Sequence, residues 1–189
     1  MLKRRPSIKY LLENRAPDLL AISGLGSCTW DLSAVGNVPE NFCFIGAMGQ
    51  AAPFALGLAL AQPRKRVVLF TGDGDILMSL GVLTTIANLA PSNLCIVIMD
   101  NEVYGETGGQ PTATAGRTDL VSIARGAGFA SAVDVSRDSE LEALRDTIRH
   151  GNALSFANIK VVEESLPLVF PYSFDGVTSI NRFRDAAMA

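Results

Sequence analysis

The chain is expected to be an α/β domain built on a doubly wound, largely parallel sheet flanked by helices. Three observations predict this class. Short apolar runs of strand length alternate with longer helical stretches from Leu19 to Val162. Two of these runs, Val67-Val68-Leu69-Phe70 and Leu94-Cys95-Ile96-Val97-Ile98-Met99, are apolar throughout and read as neighbouring buried strands. Three strands end in glycine turns, at Gly24/Gly26, Gly46/Gly49 and Gly72/Gly74. In a parallel sheet all three turns fall on one edge, at the C-terminal strand ends, where open α/β sheets bind ligands.

Along the chain, Leu19-Leu20-Ala21-Ile22 reads as the first strand, running into the turn Ser23 to Ser27. Phe42 to Ile45 is the second, ending at Gly46-Ala47-Met48-Gly49. Gln50 to Ala61 follows as a helix, apolar nearly all round and so expected to be buried on most sides, with Pro53 acceptable in its first turn. Pro63 and the charges Arg64, Lys65 and Arg66 mark a surface turn into the third strand. Ile76 to Ala90 has the length and apolar content of a crossover helix leading to the fourth. After the glycine-rich loop Gly105 to Gly116, Asp119 to Gly126 reads as a helix and Ala132 to Val135 as a strand. Ser139 to His150 is an amphipathic helix with polar start signals from Ser136 to Glu140, and Ala157 to Val162 closes the sheet. There is no internal repeat and no linker, so residues 1–189 are expected to form a single domain.

Bulk properties narrow the function. Hydrophobic residues make up 48% of the chain and charged residues 19%, a globular composition. A net charge of −3 leaves no basic stripe for nucleic acid. The cluster Lys3-Arg4-Arg5 reads as a solvated N-terminal start. Ala51 to Ala61 is too short for a membrane span, and Leu2 to Leu12 lacks a secretory apolar core. Cys28, Cys43 and Cys95 contain no Cys-x-x-Cys and fit neither a disulfide framework nor a zinc or iron–sulfur site. The expected location is cytoplasmic, without membrane or nucleic-acid partners.

The chemistry gathers at the third and fourth strand ends, where Gly72-Asp73-Gly74 and Asp100-Asn101 stand. Asp73 and Asn101 are one strand–helix–strand passage apart, so both reach the same sheet edge. Two hard oxygen donors beside a helix N-terminus suit Mg²⁺ holding a diphosphate. Gly74 and Asp75 lie where free helix N–H groups bind phosphate, and Asp75 is expected to act as the helix cap. His150, the one histidine, ends a surface helix, where it serves as a favourable charge rather than an acid or base. Cys28 reads as a buried, inert thiol, and Trp30 as packing or interface.

Gly72-Asp73-Gly74 through Asp100-Asn101 resembles the diphosphate-binding motif of the thiamine diphosphate enzymes. Asp100 to Gln110 and Gly72 to Gly81 are similar to the beta subunits of sulfopyruvate decarboxylases, and Gly108-Gly109-Gln110-Pro111-Thr112 to phosphonopyruvate decarboxylases. The likeness runs from about Ala21 to the end, including Ile180-Asn181-Arg182-Phe183. It implies thiamine diphosphate and Mg²⁺ as cofactors, with the Asp73 carboxylate, the Asn101 side-chain oxygen and the Val103 carbonyl on the metal. It further implies that Gly24, Gly26, Ser27, Gly72, Gly74, Asp75, Tyr104 and Gly105 surround the cofactor. The Gly46 carbonyl would accept from the 4′-amino group of the aminopyrimidine, and Met48 would hold the two rings bent; core packing is the other reading of Met48. Tyr104, Glu106 and Thr107, with Gln110, form either a plain loop or a substrate-contacting lid. Asp100 takes the place of the family's first asparagine.

Such enzymes also need a pyrimidine-binding domain, whose glutamate activates the cofactor, and no stretch of this chain resembles one. The resemblance therefore implies a hetero-oligomer with an alpha-type partner, decarboxylating a small 2-oxo acid without oxidation to give an aldehyde. Arg117 is open as an anion contact or a solvated charge. Two alternatives stand beside this: the beta subunit of a 2-oxo-acid:ferredoxin oxidoreductase, and a non-catalytic cofactor-binding subunit.

Overall fold

The computed structural model describes residues 1–189. Helix α1 (Arg4–Leu12) precedes strand β1 (Leu19–Ser23). Helix α2 (Ser27–Val35) leads to β2 (Asn41–Cys43), and α3 (Ala51–Ala61) to β3 (Arg66–Gly72). The short α4 (Asp73–Leu77) and then α5 (Val82–Leu89) return the chain to β4 (Leu94–Asp100). A small hairpin of β5 (Val103–Tyr104) and β6 (Gln110–Pro111) follows. Then come α6 (Leu120–Ala127), β7 (Ser131–Val135), α7 (Asp138–His150), β8 (Ser155–Lys160) and α8 (Gly176–Met188).

Six strands form one sheet in the order β2-β1-β3-β4-β8-β7, and every pairing is parallel. Alternate residues of each strand feed two separate cores. Val67, Leu69, Ile96 and Phe156 meet α3, α5 and α6 on one face. Val68, Phe70, Val97 and Ile159 meet α1, α2 and α7 on the other. The sheet is therefore doubly wound as expected, and burying each large apolar side chain contributes about 1.5–3 kcal/mol. Strand β8, last in sequence, is not an edge strand: it inserts between β4 and β7. Phe156 on one side and Ala157 and Ile159 on the other give it the two apolar faces this position requires. Helix α8 packs at the opposite end, where Phe183 meets Phe42 with ring centroids 5.1 Å apart. No helix is long and apolar enough to cross a membrane.

Three sequence expectations need correction. The N-terminal basic cluster is not a solvated start: it begins α1, which buries Ile8, Leu11 and Leu12, and Arg4 is itself buried. The turn after β1 ends in a full helix, α2, whose buried positions include the polar Thr29 and Asp31. The expected single crossover helix is two helices separated at Met78 to Gly81. There the backbone bonds tighten to a three-residue spacing, as in Met78 N–H to Asp75 O and Val82 N–H to Ser79 O. Helix α3 is buried on most sides as expected: Ala51, Ala52, Ala55, Leu56 and Ala59 enter the core, Phe54 and Leu58 pack half-buried beside Phe42 and Phe183, and Gly57 and Leu60 are exposed.

Candidate functional site

The register of β3 on β4 pairs Gly72 with Met99, so the residues that follow each strand emerge side by side. They open onto a cavity of about 160 Å³ at the C-terminal strand ends. Its walls come from four places: Gly26 to Cys28 at the start of α2, Met48, Gly72 to Asp75, and Asn101 with Val103 to Thr107. Arg4, distant in sequence, also lines it.

Asp73 is 1% exposed. Its Oδ2 accepts from the hydroxyls of Thr112 (2.5 Å) and Thr114 (3.0 Å), and no other side chain donates to its Oδ1. Burial raises the Asp73 carboxyl above the ordinary carboxylate range; the Thr112 bond works against this and the charge of Asp100 adds to it. A buried carboxylate with one oxygen clamped and one open is the arrangement a cation needs. Asn101 is fixed likewise. Its Nδ2 donates to Glu163 Oε2 at 2.5 Å, which orients the amide oxygen towards the Val103 N–H at 3.4 Å. Between them Glu102 adopts a left-handed φ of 66° and turns Val103 into the cavity wall. Lys160 holds that turn through Glu102 Oε1 at 2.7 Å.

Asp100 belongs to the framework rather than to the cavity. Its carboxylate accepts from Thr114 (2.8 Å), from the Glu102 N–H (3.2 Å) and from Asn158 (3.2 Å), and pairs with Lys160 at 2.7 Å. The aspartate thus ties the strand end to the threonines that clamp Asp73.

Asp75 is not the helix cap. Gly72 occupies that position without a side-chain bond, and Asp75 sits inside the first turn. Its carboxylate accepts the Gly49 N–H at 2.6 Å and the Thr71 hydroxyl, so it fastens the Gly46 to Gly49 loop to the end of β3. Burial raises its carboxyl too, with the Thr71 bond opposing. Gly74 is required by space: a Cβ there would stand 2.6 Å from the Tyr104 ring.

Gly24, by contrast, does not line the cavity. It is buried beneath Thr71 and Asp75, which a Cβ would strike, so its smallness serves packing. Gly46 is not in the cavity either; it borders a neighbouring one of about 290 Å³ walled by Phe42, Phe44, Phe170 and Tyr172. The Gly46 to Gly49 loop therefore stands between two cavities, with Met48 on the side of Asp73. Glu106 accepts from Ser27 (3.2 Å) and from the Trp30 indole (3.1 Å), bridging the loop after β5 to α2. Trp30 also meets Phe170 edge-on, with centroids 5.8 Å apart. Cys28 is buried and its thiol is pushed well above its usual value by desolvation; Arg117 is exposed outside the cavity.

These donors fit a metal-held diphosphate. One carboxylate, one amide oxygen and one backbone carbonyl are the hard oxygen ligands Mg²⁺ prefers. No group of three or more His, Cys, Asp or Glu side chains is placed to hold a metal, so a metal held here would take its remaining ligands from an anion and water. The volume is below the roughly 300–1,000 Å³ of sites that enclose a whole small molecule. It suits the diphosphate end of a larger cofactor.

Sequence reasoning missed Thr112 and Thr114 as the clamp, Glu163 as the orienter of Asn101, and Arg4. Thr112 ends the Gly108 to Thr112 segment that carried part of the resemblance, and Thr114 lies two positions beyond it. Nothing local marked Glu163 or Arg4.

Residues 26–159 match the family described as thiamine pyrophosphate enzyme, C-terminal TPP binding domain, and the chain belongs to that family. Within it, the chain is 38% identical over 160 residues to the beta subunit of sulfopyruvate decarboxylase of Methanocaldococcus jannaschii, covering 85% of this chain and 81% of that one. It is 39% identical over 126 residues to phosphonopyruvate decarboxylase of Streptomyces hygroscopicus, covering 67% of this chain but only 31% of that longer protein. The structure of benzoylformate decarboxylase from Polynucleobacter necessarius shares the fold, with a TM-score of 0.73 at 22% identity over 88% of this chain and 34% of that one.

Proposed function

We propose that this chain is the beta-type subunit of a thiamine diphosphate- and Mg²⁺-dependent 2-oxo-acid decarboxylase of the sulfopyruvate and phosphonopyruvate type. The observation that carries the reading is the convergence of Asp73, Asn101 and Val103 on one cavity of diphosphate size. Asp73 would give the metal its free Oδ1, held in place by Thr112 and Thr114. Asn101 would give its side-chain oxygen, held by Glu163, and Val103 its carbonyl. Gly26, Ser27, Gly72, Gly74, Asp75, Tyr104 and Gly105 line or support the same cavity and would surround the diphosphate. The bound cofactor would supply the electron sink for loss of CO₂.

The chain's own residues would position the rest. The Gly46 carbonyl, beyond the cavity wall, would accept from the aminopyrimidine, while Met48 would keep the rings bent from the cavity side. Asp75 supports both roles by fixing the Gly49 N–H. Tyr104, Glu106 and Thr107 would close over the substrate and exclude water.

The site is proposed to be completed by a partner chain with a pyrimidine-binding domain, whose glutamate activates the cofactor. Two observations support this. The cavity, at about 160 Å³, is smaller than sites that enclose a whole small molecule, and the exposed Phe170, Tyr172 and Phe174 line an apolar surface with Gly46 and Phe44.

The test is co-expression with such a subunit and assay of the pair against 2-oxo acids, including sulfopyruvate and phosphonopyruvate. The expected result is aldehyde and CO₂ from one of these by the pair, and little turnover by either chain alone. Full activity from this chain alone would contradict the shared site. A pair that binds thiamine diphosphate and leaves every 2-oxo acid untouched would favour the non-catalytic reading.

A further inference from the structure

The only positive charge on the cavity wall has no part in the metal site just described. Arg4 is 4% exposed, lies in α1, and lines the same cavity as Asp73 and Asn101. Its Nε donates to Asp31 Oδ2, and Arg5 Nε donates to Asp31 Oδ1 at 2.7 Å. Asp31 is fully buried, so two guanidinium groups share one carboxylate, and the only other carboxylate acting on Arg4 is that of Glu163. Arg5 turns outward to the Pro167 carbonyl at 2.8 Å. Arg4 does not turn outward. Its two terminal nitrogens meet no protein acceptor.

A buried guanidinium with idle donors costs stability until an acceptor arrives. Burial opposes the charge on Arg4, yet Asp31 more than restores it, so the group stays cationic. A second feature points the same way. Helix α2 begins at the same cavity through Ser27 and Cys28, and its N-cap, Gly26, provides no side-chain cap. The free N–H groups of that turn favour an anion beside the guanidinium.

We propose that Arg4, with the first turn of α2, binds a phosphoryl oxygen of the cofactor's diphosphate, so that the diphosphate is held by a protein cation as well as by the metal. This rests on the reading of the cavity as a metal–diphosphate site. A tetrahedral oxyanion on a substrate tail has the same chemistry, and the experiment separates the two.

The chain is titrated with inorganic pyrophosphate, with and without Mg²⁺, by calorimetry and by Trp30 fluorescence, while circular dichroism checks folding. Wild type is expected to bind in a Mg²⁺-dependent manner. Arg4→Gln should weaken binding about 10-fold or more, because a charge-assisted bond is lost. Arg4→Lys should weaken it less, keeping the charge but losing the planar fork. Arg5→Gln also removes one partner of Asp31, yet should retain wild-type affinity.

If Arg4→Gln does not fold, Arg4→Gln combined with Asp31→Asn removes the buried carboxylate that lost one of its two partners and should show the same loss. Wild-type affinity in a folded Arg4→Gln chain would overturn the proposal and leave the metal site standing. Unchanged pyrophosphate binding with a raised KM for an anionic 2-oxo acid, measured with the partner present, would assign Arg4 to the substrate tail and overturn it too. Absence of any Mg²⁺-dependent binding by wild type would overturn the cavity reading and the proposal together.

Discussion

The two ends of strands β3 and β4 are built on opposite principles. At the N-terminal end, side-chain donors meet backbone acceptors and nothing is left over. Arg66 donates to the carbonyls of Thr147, Ile148, Gly151 and Ser92, and Asn93 Nδ2 is shared among those of Ala59, Gln62 and Lys65. At the C-terminal end, three aspartates, Asp73, Asp75 and Asp100, are buried at the adjoining strand ends, and burial raises the carboxyls of two of them. One end satisfies itself. The other gathers buried carboxylates, a charge that the proposed cation would balance at a cost in stability of the metal-free chain.

The largest effect that would sharpen this contrast is Asp73→Asn. It should reduce Mg²⁺-dependent thiamine diphosphate binding by about 100-fold or more, since a direct ligand is lost. The melting temperature of the metal-free chain should nonetheless stay unchanged or rise. The pH dependence follows from the same cause. A carboxyl raised by folding contributes stability that is present below its unfolded value and lost as pH rises through its folded value. Metal binding has the opposite sign, because it needs the carboxylate, so affinity should fall as pH drops through that raised value. Calorimetry and thermal melts across pH would show both trends, and Asp73→Asn should abolish them.

At the other end, Asn93→Ala should destabilise the chain by about 1–3 kcal/mol, the cost of leaving buried carbonyls unpaired, with no change in cofactor affinity of the folded fraction. Denaturant melts together with calorimetry would check this. A cofactor defect in Asn93→Ala would break the contrast.

Smaller effects concern how the ligands are aimed. Thr112→Val should leave Asp73 half clamped and weaken metal binding by about 10-fold, as removal of an outer-shell partner does. Losing that bond also removes an influence that lowers the Asp73 carboxyl, so the pH at which Mg²⁺ binding fails should move upward. Glu163→Ala should cost least, a few-fold in affinity, because the Asn101 oxygen keeps its contact with the Val103 N–H. Titrations of the two variants at one pH would rank them.

The contrast also explains what could be read from sequence. The central strands β1, β3 and β4 were legible because they bury apolar residues on both faces, and neighbouring strand ends carrying Asp73 and Asn101 follow from parallel pairing alone. Helices α1 and α2 were not legible. Arg4, Thr29 and Asp31 occupy buried positions where the periodic pattern calls for apolar residues; Asp31 is satisfied by the arginines of α1, remote in sequence, and Thr29 by Ser23 and Gly24 of the preceding turn. The break at Met78 to Gly81 and the tether from Asp75 to Gly49 depend on packing between segments, which no local pattern encodes. The same holds for Thr112, Thr114 and Glu163. Sequence could name the groups that would touch a metal, whereas the groups that aim them came only with the fold.

The central claim is that the Asp73 edge holds a diphosphate through a divalent cation and is completed by another chain. Its most direct test is calorimetric titration of the purified chain with thiamine diphosphate, with Mg²⁺ or with a chelator, before and after addition of a pyrimidine-domain subunit. The account predicts weak binding that requires Mg²⁺ and tightens when the subunit is present. Binding indifferent to the chelator, or no binding with the subunit present, would contradict it.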